Sequence, residues 1–177
     1  MKNVTIFLCD IYGTYMKNNE SVSQDKIKRL LNNLEKLRII NNSEKILFSF
    51  VSTESGNFVK KQSLILKSSN KFENIEIGMQ FFENGYMINN QLFYNGEKGK
   101  ISQILFYFEK LQKEYQIDKI YYADDTEFYH FMLSNLLIDS PLENKLCSII
   151  PHNFYETNEL NNIISKIINE NLQRVRK

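Results

Sequence analysis

Asp10 closes a short apolar run rich in β-branched residues, Val4-Thr5-Ile6-Phe7-Leu8-Cys9, and is followed by Gly13-Thr14. A carboxylate therefore stands where a buried strand gives way to a loop. Ser52 and Thr53 follow a second such run, Ile46 to Val51, and Asp124-Asp125 follow a third, Lys119 to Ala123. In an open parallel sheet, ligands bind beyond the carboxyl ends of the strands, which is where these residues fall. Acidic groups converging from two strands repel one another and are costly to desolvate unless a cation neutralises them. Carboxylate and carbonyl oxygens select a hard ion such as Mg²⁺, and Ser/Thr hydroxyls with a nearby lysine suit an anionic group such as phosphate. The chemistry this pattern points to is metal-assisted phosphoryl transfer.

The elements that must position these residues are legible as alternating patterns. Ser23 is placed to cap a helix whose apolar residues recur at Ile27, Leu30, Leu31, Leu34 and Leu37, and Asn41-Asn42-Ser43 breaks the chain after it. A weaker helix pattern runs from Asn57 to Lys67, and Ile75-Glu76-Ile77 reads as a short third strand. Tyr86 to Tyr94 reads as a hairpin turning at Asn89-Asn90. An amphipathic helix is expected from about Lys100 to Tyr115, then a strand over Lys119 to Ala123. A helix through Phe128 to Leu136 stops near Ser140-Pro141, Cys147 to Ile150 forms a fifth strand, and a last helix carries Leu160, Ile164, Ile168 and Leu172. Strands and helices alternating in this way imply right-handed crossovers and a parallel sheet of about five strands with helices on both faces.

Composition bounds what such a domain does. The 177 residues match one domain, and 42% hydrophobic with 13% aromatic residues can bury a core. Twenty-two Lys+Arg against 21 Asp+Glu leave a net charge of +1, which argues against a nucleic-acid partner held by charge. Two Cys and two His exclude a disulfide scaffold and a Cys/His zinc cage. The opening MKNVTIFLCD has an apolar run too short for a signal peptide or membrane span, so no membrane partner and a cytoplasmic location are expected. His130 and His152 read as structural or surface residues, Cys9 as a small buried one, and Arg174 to Lys177 as a solvated helix end.

Several stretches resemble the motifs of one family, in its order, over about residues 4 to 150. Cys9-Asp10-Ile11-Tyr12-Gly13-Thr14 resembles the first motif, D-x-D-G-T, of the haloacid dehalogenase (HAD) superfamily. Phe50 to Ser55 resembles its second motif, a strand ending in Thr or Ser, and Glu83-Asn84-Gly85 resembles the E-N-G stretch of sugar-phosphatase-like members. Glu97-Lys98-Gly99-Lys100 resembles the stretch that supplies the family lysine, and Ile120 to Asp125 the acidic fourth motif. The resemblance implies a three-layer Rossmann-like α/β fold with a small β-hairpin, at about residues 86–94, in place of a cap.

It also implies roles. Asp10 would be the nucleophile, forming an aspartyl intermediate. Mg²⁺ would be held by Asp10, the backbone carbonyl of Tyr12, and Asp124 or Asp125. Ser52 or Thr53, preferably Thr53, would contact the transferring phosphoryl oxygens together with Gly13 and Thr14. Lys98 or Lys100 would neutralise charge on the nucleophile and phosphate. The chain departs from the pattern at Tyr12, which replaces the aspartate that serves family phosphatases as general acid, an effect of about 10²–10⁴ in rate; the Tyr12 phenol is still a candidate proton donor, though a poor match at pH 7. It departs again at Glu54, which replaces a glycine, and at Phe128, which replaces a second acidic residue. D-x-Y-G-T occurs in the carbon–halogen-cleaving branch, but those enzymes use no metal and carry a helical cap. The expected activity is phosphate monoester hydrolysis on a phosphorylated small molecule or macromolecule. The alternatives are a degenerate HAD-like binding or regulatory module and, third, a metal-free dehalogenase. A site without a cap excludes water badly by itself, so a homo-oligomer or a macromolecular substrate is expected to cover it, with Tyr86, Phe93 and Tyr94 as candidate contacts.

Overall fold

The computed structural model describes residues 1–17, 20–52, 54, 56–78, 86–88, 91–93, 97–152 and 159–175. Five strands, β1 (Lys2–Cys9), β2 (Lys45–Phe50), β3 (Ile75–Gly78), β6 (Tyr115–Ala123) and β7 (Leu146–Ile149), form one parallel sheet in the order β3-β2-β1-β6-β7. Between them run α1 (Gln24–Ile40), α2 (Gly56–Ser69), α3 (Glu97–Gln112), α4 (Glu127–Leu136) and, after β7, α5 (Glu159–Val175). Two short strands, β4 (Tyr86–Ile88) and β5 (Gln91–Phe93), pair antiparallel as a separate hairpin, Ile88 opposite Gln91. Asn89, Asn90 and Tyr94, and the hairpin side chains proposed as an oligomer contact, lie outside the described residues.

β1 is the central strand and is buried from Val4 to Cys9, as a strand covered on both faces must be. Its side chains alternate between two cores. Phe7 and Cys9 pack with residues of α1, α2 and α5; Val4, Ile6 and Leu8 pack with residues of α3 and α4. On the first face the rings of Phe48, Phe7 and Tyr121 form a ladder across β2, β1 and β6, with centroids 5.7 and 5.9 Å apart. α1 begins where Ser23 Oγ accepts the Lys26 N–H at 3.2 Å, and it buries the apolar face that its spacing foretells. Its buried Asn33 donates to the Asn161 carbonyl of α5 at 3.2 Å, one of several polar ties between the two helices, with Arg29 donating to Asn162 and Asn161 to the Lys26 carbonyl.

Two boundaries differ from expectation. α3 ends at Gln112 rather than near Tyr115, and β6 starts at Tyr115 rather than Lys119. Pairing with β1 extends β6 backward, Lys2 opposite Tyr115, and a register shift after Val4 leaves Asp118 without a partner. That bulge interrupts the two-residue period, which hides the first half of the strand from a pattern reading. A single 3-10 turn, Glu143–Lys145, also precedes β7.

The chain winds outward from β1 to β3 on one side and from β6 to β7 on the other. β1 and β6 therefore flank the point where strand order reverses, the place where such sheets hold ligands.

Candidate active site

The ladder brings Asp10 and Asp124 together. Cys9 lies opposite Ala123, and the hydrogen bonds continue past the strands: Asp10 N donates to the Ala123 carbonyl at 2.8 Å and Asp124 N to the Ile149 carbonyl at 3.1 Å. After Asp10 the chain turns tightly, Tyr15 and Met16 both donating to the Ile11 carbonyl at 2.9 Å. Gly13 sits in this turn at φ 81°, a conformation that L side chains rarely adopt. Buried Ile11, Tyr15 and Met16 pin the turn to the core beneath.

Lys100, in the first turns of α3, reaches into the gap between the two aspartates. Its Nζ donates to Asp10 Oδ1 at 2.9 Å and to Asp124 Oδ2 at 2.5 Å, and lies 4.5 Å from the ring centroid of Tyr129. Asp124 is fully buried and its oxygens are occupied: Oδ2 also accepts from Tyr122 Oη at 2.7 Å, and Oδ1 accepts from Thr126 N at 2.9 Å. Behind it, His130 Nε2 lies 2.8 Å from the Asp124 carbonyl, which can only accept, so Nε2 carries the proton. The His130 ring packs against that of Tyr122, 4.7 Å between centroids.

The charges are strongly perturbed. Burial and the nearby Asp124 push the Asp10 carboxyl up to about 7, against the pull of Lys100 in the other direction. Burial disfavours the charge on Lys100, but Asp10 and Asp124 outweigh it and hold the ammonium above its ordinary pKa. Asp125, half-buried, is raised by burial and by Asp124, and burial lowers His130. Asp10, Asp124 and Asp125 each offer a carboxylate oxygen, and these atoms lie within 4.8 Å of one another. Three carboxylates against one ammonium is a hard-oxygen donor set with negative charge to spare, and it fits a divalent ion such as Mg²⁺.

The other expected residues are placed as follows. Ser52 is buried just past β2, and its Oγ accepts the Glu54 N–H at 3.2 Å. Thr14 is buried, with its Oγ1 lacking a hydrogen-bond partner among the described residues. Tyr12 is half-buried, its ring stacked on that of Phe58 at 5.2 Å. Thr53 and the side chain of Lys98 lie outside the described residues; of the two lysines, Lys100 is the one seen to join Asp10 and Asp124. Tyr122, Tyr129 and His130 were not expected at the site. Tyr122 could have been found, because it stands two residues before Asp124 and so shares its face of the strand. Tyr129 and His130 arrive from α4 with no spacing that signals them.

No protein-family model and no curated protein sequence matches the chain. Among solved structures, it is similar to the HAD domain of effector protein Lem4 from Legionella pneumophila, at 15% identity and a TM-score of 0.52, over 96% of each chain. At that identity the likeness speaks to architecture. The chain has the Rossmann-like α/β fold of a HAD domain, with a lysine-bridged acidic cluster where its sheet reverses direction.

Proposed function

We propose that this chain belongs to the HAD superfamily and is a Mg²⁺-dependent phosphohydrolase that works through an aspartyl-phosphate intermediate. The observation that carries the reading is Lys100 spanning Asp10 and Asp124, with an Asp125 oxygen within 4.8 Å of both carboxylates. Asp10 is the nucleophile, because it ends the central strand, stays partly accessible and is held by one lysine contact that leaves its second oxygen to attack. Lys100 offsets charge as the phosphoryl group arrives, and Asp124, saturated by Lys100, Tyr122 and Thr126, fixes Lys100 in place. Asp10, the Tyr12 carbonyl and the freer carboxylate, Asp125, would hold Mg²⁺, with Asp124 as the alternative. When bound, that ion supplies charge neutralisation for the transferring phosphoryl oxygens. In this reading Ser52, Thr53, Gly13 and Thr14 bind those oxygens. The substrate is a phosphorylated small molecule, or a macromolecule that itself covers the site; a second copy of the chain could provide the same cover.

Hydrolysis of a generic aryl phosphate, with and without Mg²⁺, tests the reading. Turnover that needs the ion and disappears in Asp10→Asn supports it. The second reading, a binding module, is favoured by Tyr12 stacking on Phe58 in place of a carboxylic acid. It would be assigned if the wild type is inactive and Tyr12→Asp gains nothing.

A further inference from the structure

We infer that the phosphoryl group handled here is one whose departing oxygen is stable as an anion: an acyl phosphate, a phosphoanhydride or an acidic aryl phosphate, not an alkyl phosphate. The inference rests on the phosphohydrolase reading and narrows its substrate. An alkoxide is a poor leaving group, so an alkyl phosphate needs a proton delivered to its departing oxygen. In an in-line displacement that oxygen lies across the phosphorus from the attacking atom. A donor must therefore stand on the side away from Asp10.

The described polar groups that meet Asp10 and Asp124 are committed to the entering side. Lys100 directs its ammonium at Asp10, Asp124 and the face of Tyr129. Asp124 is fully buried and accepts from three donors, one of them the Tyr122 hydroxyl. Asp125 clusters its oxygen with those of Asp10 and Asp124, and His130 sits behind Asp124 on its carbonyl. Ser52 offers an alcohol, no stronger an acid than the alcohol that departs, so a proton from it brings little advantage. On the turn beyond Asp10, half-buried Tyr12 stacks on Phe58 and offers a phenol, a much weaker acid than the carboxyl group that an alkyl leaving group calls for. The step that this arrangement serves needs no acid. An Asp10 oxygen bonds to phosphorus, the bond to the departing oxygen breaks, and that oxygen takes the electron pair and leaves as an anion. Water then attacks the aspartyl phosphate, releasing inorganic phosphate and a proton to solvent and restoring the Asp10 carboxylate.

The experiment measures kcat/KM of the full chain with Mg²⁺ on acetyl, dinitrophenyl, nitrophenyl, phenyl and ethyl phosphate. The expected result is a continuous steep fall with leaving-group basicity, ethyl phosphate lying below detection. Tyr12→Asp is expected to flatten that fall, raising phenyl and ethyl phosphate turnover by about 10²–10⁴ and dinitrophenyl phosphate far less. If the variant does not fold, the wild-type slope decides alone. A shallow slope, with ethyl phosphate turned over at a rate near that of phenyl phosphate, overturns the inference while leaving the phosphohydrolase reading intact. Inactivity on acetyl and dinitrophenyl phosphate, with Asp10→Asn indistinguishable from wild type, instead removes the phosphohydrolase reading and this inference with it.

Discussion

Burying an ammonium between two carboxylates strips water from all three, and the mutual attraction repays this only when hydrogen bonds satisfy the remaining lone pairs. Around Asp124 they are satisfied, by Lys100, Tyr122 and Thr126; around Asp10 they are not, and its carboxyl is pushed up to about 7. A carboxyl raised in the folded state binds protons that the unfolded chain has already lost. Its contribution to stability is present below pH 4 and lost as pH rises toward 7. Without added divalent ions, wild-type stability should therefore decline between about pH 4 and 7, and Asp10→Asn should lose that part of the decline. Thermal unfolding across this range checks it; identical pH profiles for the two proteins would contradict the burial argument. Tyr122→Phe keeps the ring against His130 but removes a donor from a buried carboxylate. It should cost about 1–3 kcal/mol in urea denaturation and weaken catalysis through Lys100.

Each element brings one part of the site, and its end matters more than its middle. β1 delivers Asp10, β6 delivers Asp124 and Asp125, α3 delivers Lys100, and α4 backs them with Tyr129 and His130. The turn after β1 depends on Gly13 at φ 81°, which a Cβ would strain. Gly13→Ala should destabilise by about 1–2 kcal/mol in chemical denaturation, with a larger fractional loss of aryl phosphate turnover because the turn directly follows Asp10. The largest departure from expectation at this scale came where pairing overrode local preference. Tyr115-Gln116-Ile117 joined β6 because β1 offered partners, and the bulge at Asp118 put the two halves of the strand out of phase.

For the molecule as a whole, a ligand that binds the native chain alone stabilises it by an amount that grows logarithmically as its concentration exceeds its dissociation constant. Mg²⁺ at about 100 times its dissociation constant should add about 2.7 kcal/mol, read as a rise in Tm. Asp125→Asn should abolish most of that rise; an equal rise in the variant would take Asp125 out of the metal set. No helix among the described residues is long and apolar enough to cross a membrane.

What the residues alone determined is what short-range periodicity encodes: five apolar strand segments, the helices between them, and acidic or hydroxyl residues at the strand ends. Side-chain direction along a strand or helix repeats every two or 3.6 residues, so these features can be read within a dozen positions. The tertiary structure decided the lateral register that sets Cys9 beside Ala123, and with it the meeting of Asp10 and Asp124. It also put Lys100 between the aspartates and turned Tyr12 onto Phe58. The Lys100–Asp10 contact joins residues 90 positions apart, and the β1–β6 pairing spans more. No local period can encode such distances; only the packing of whole strands and helices around a shared core brings the groups within reach.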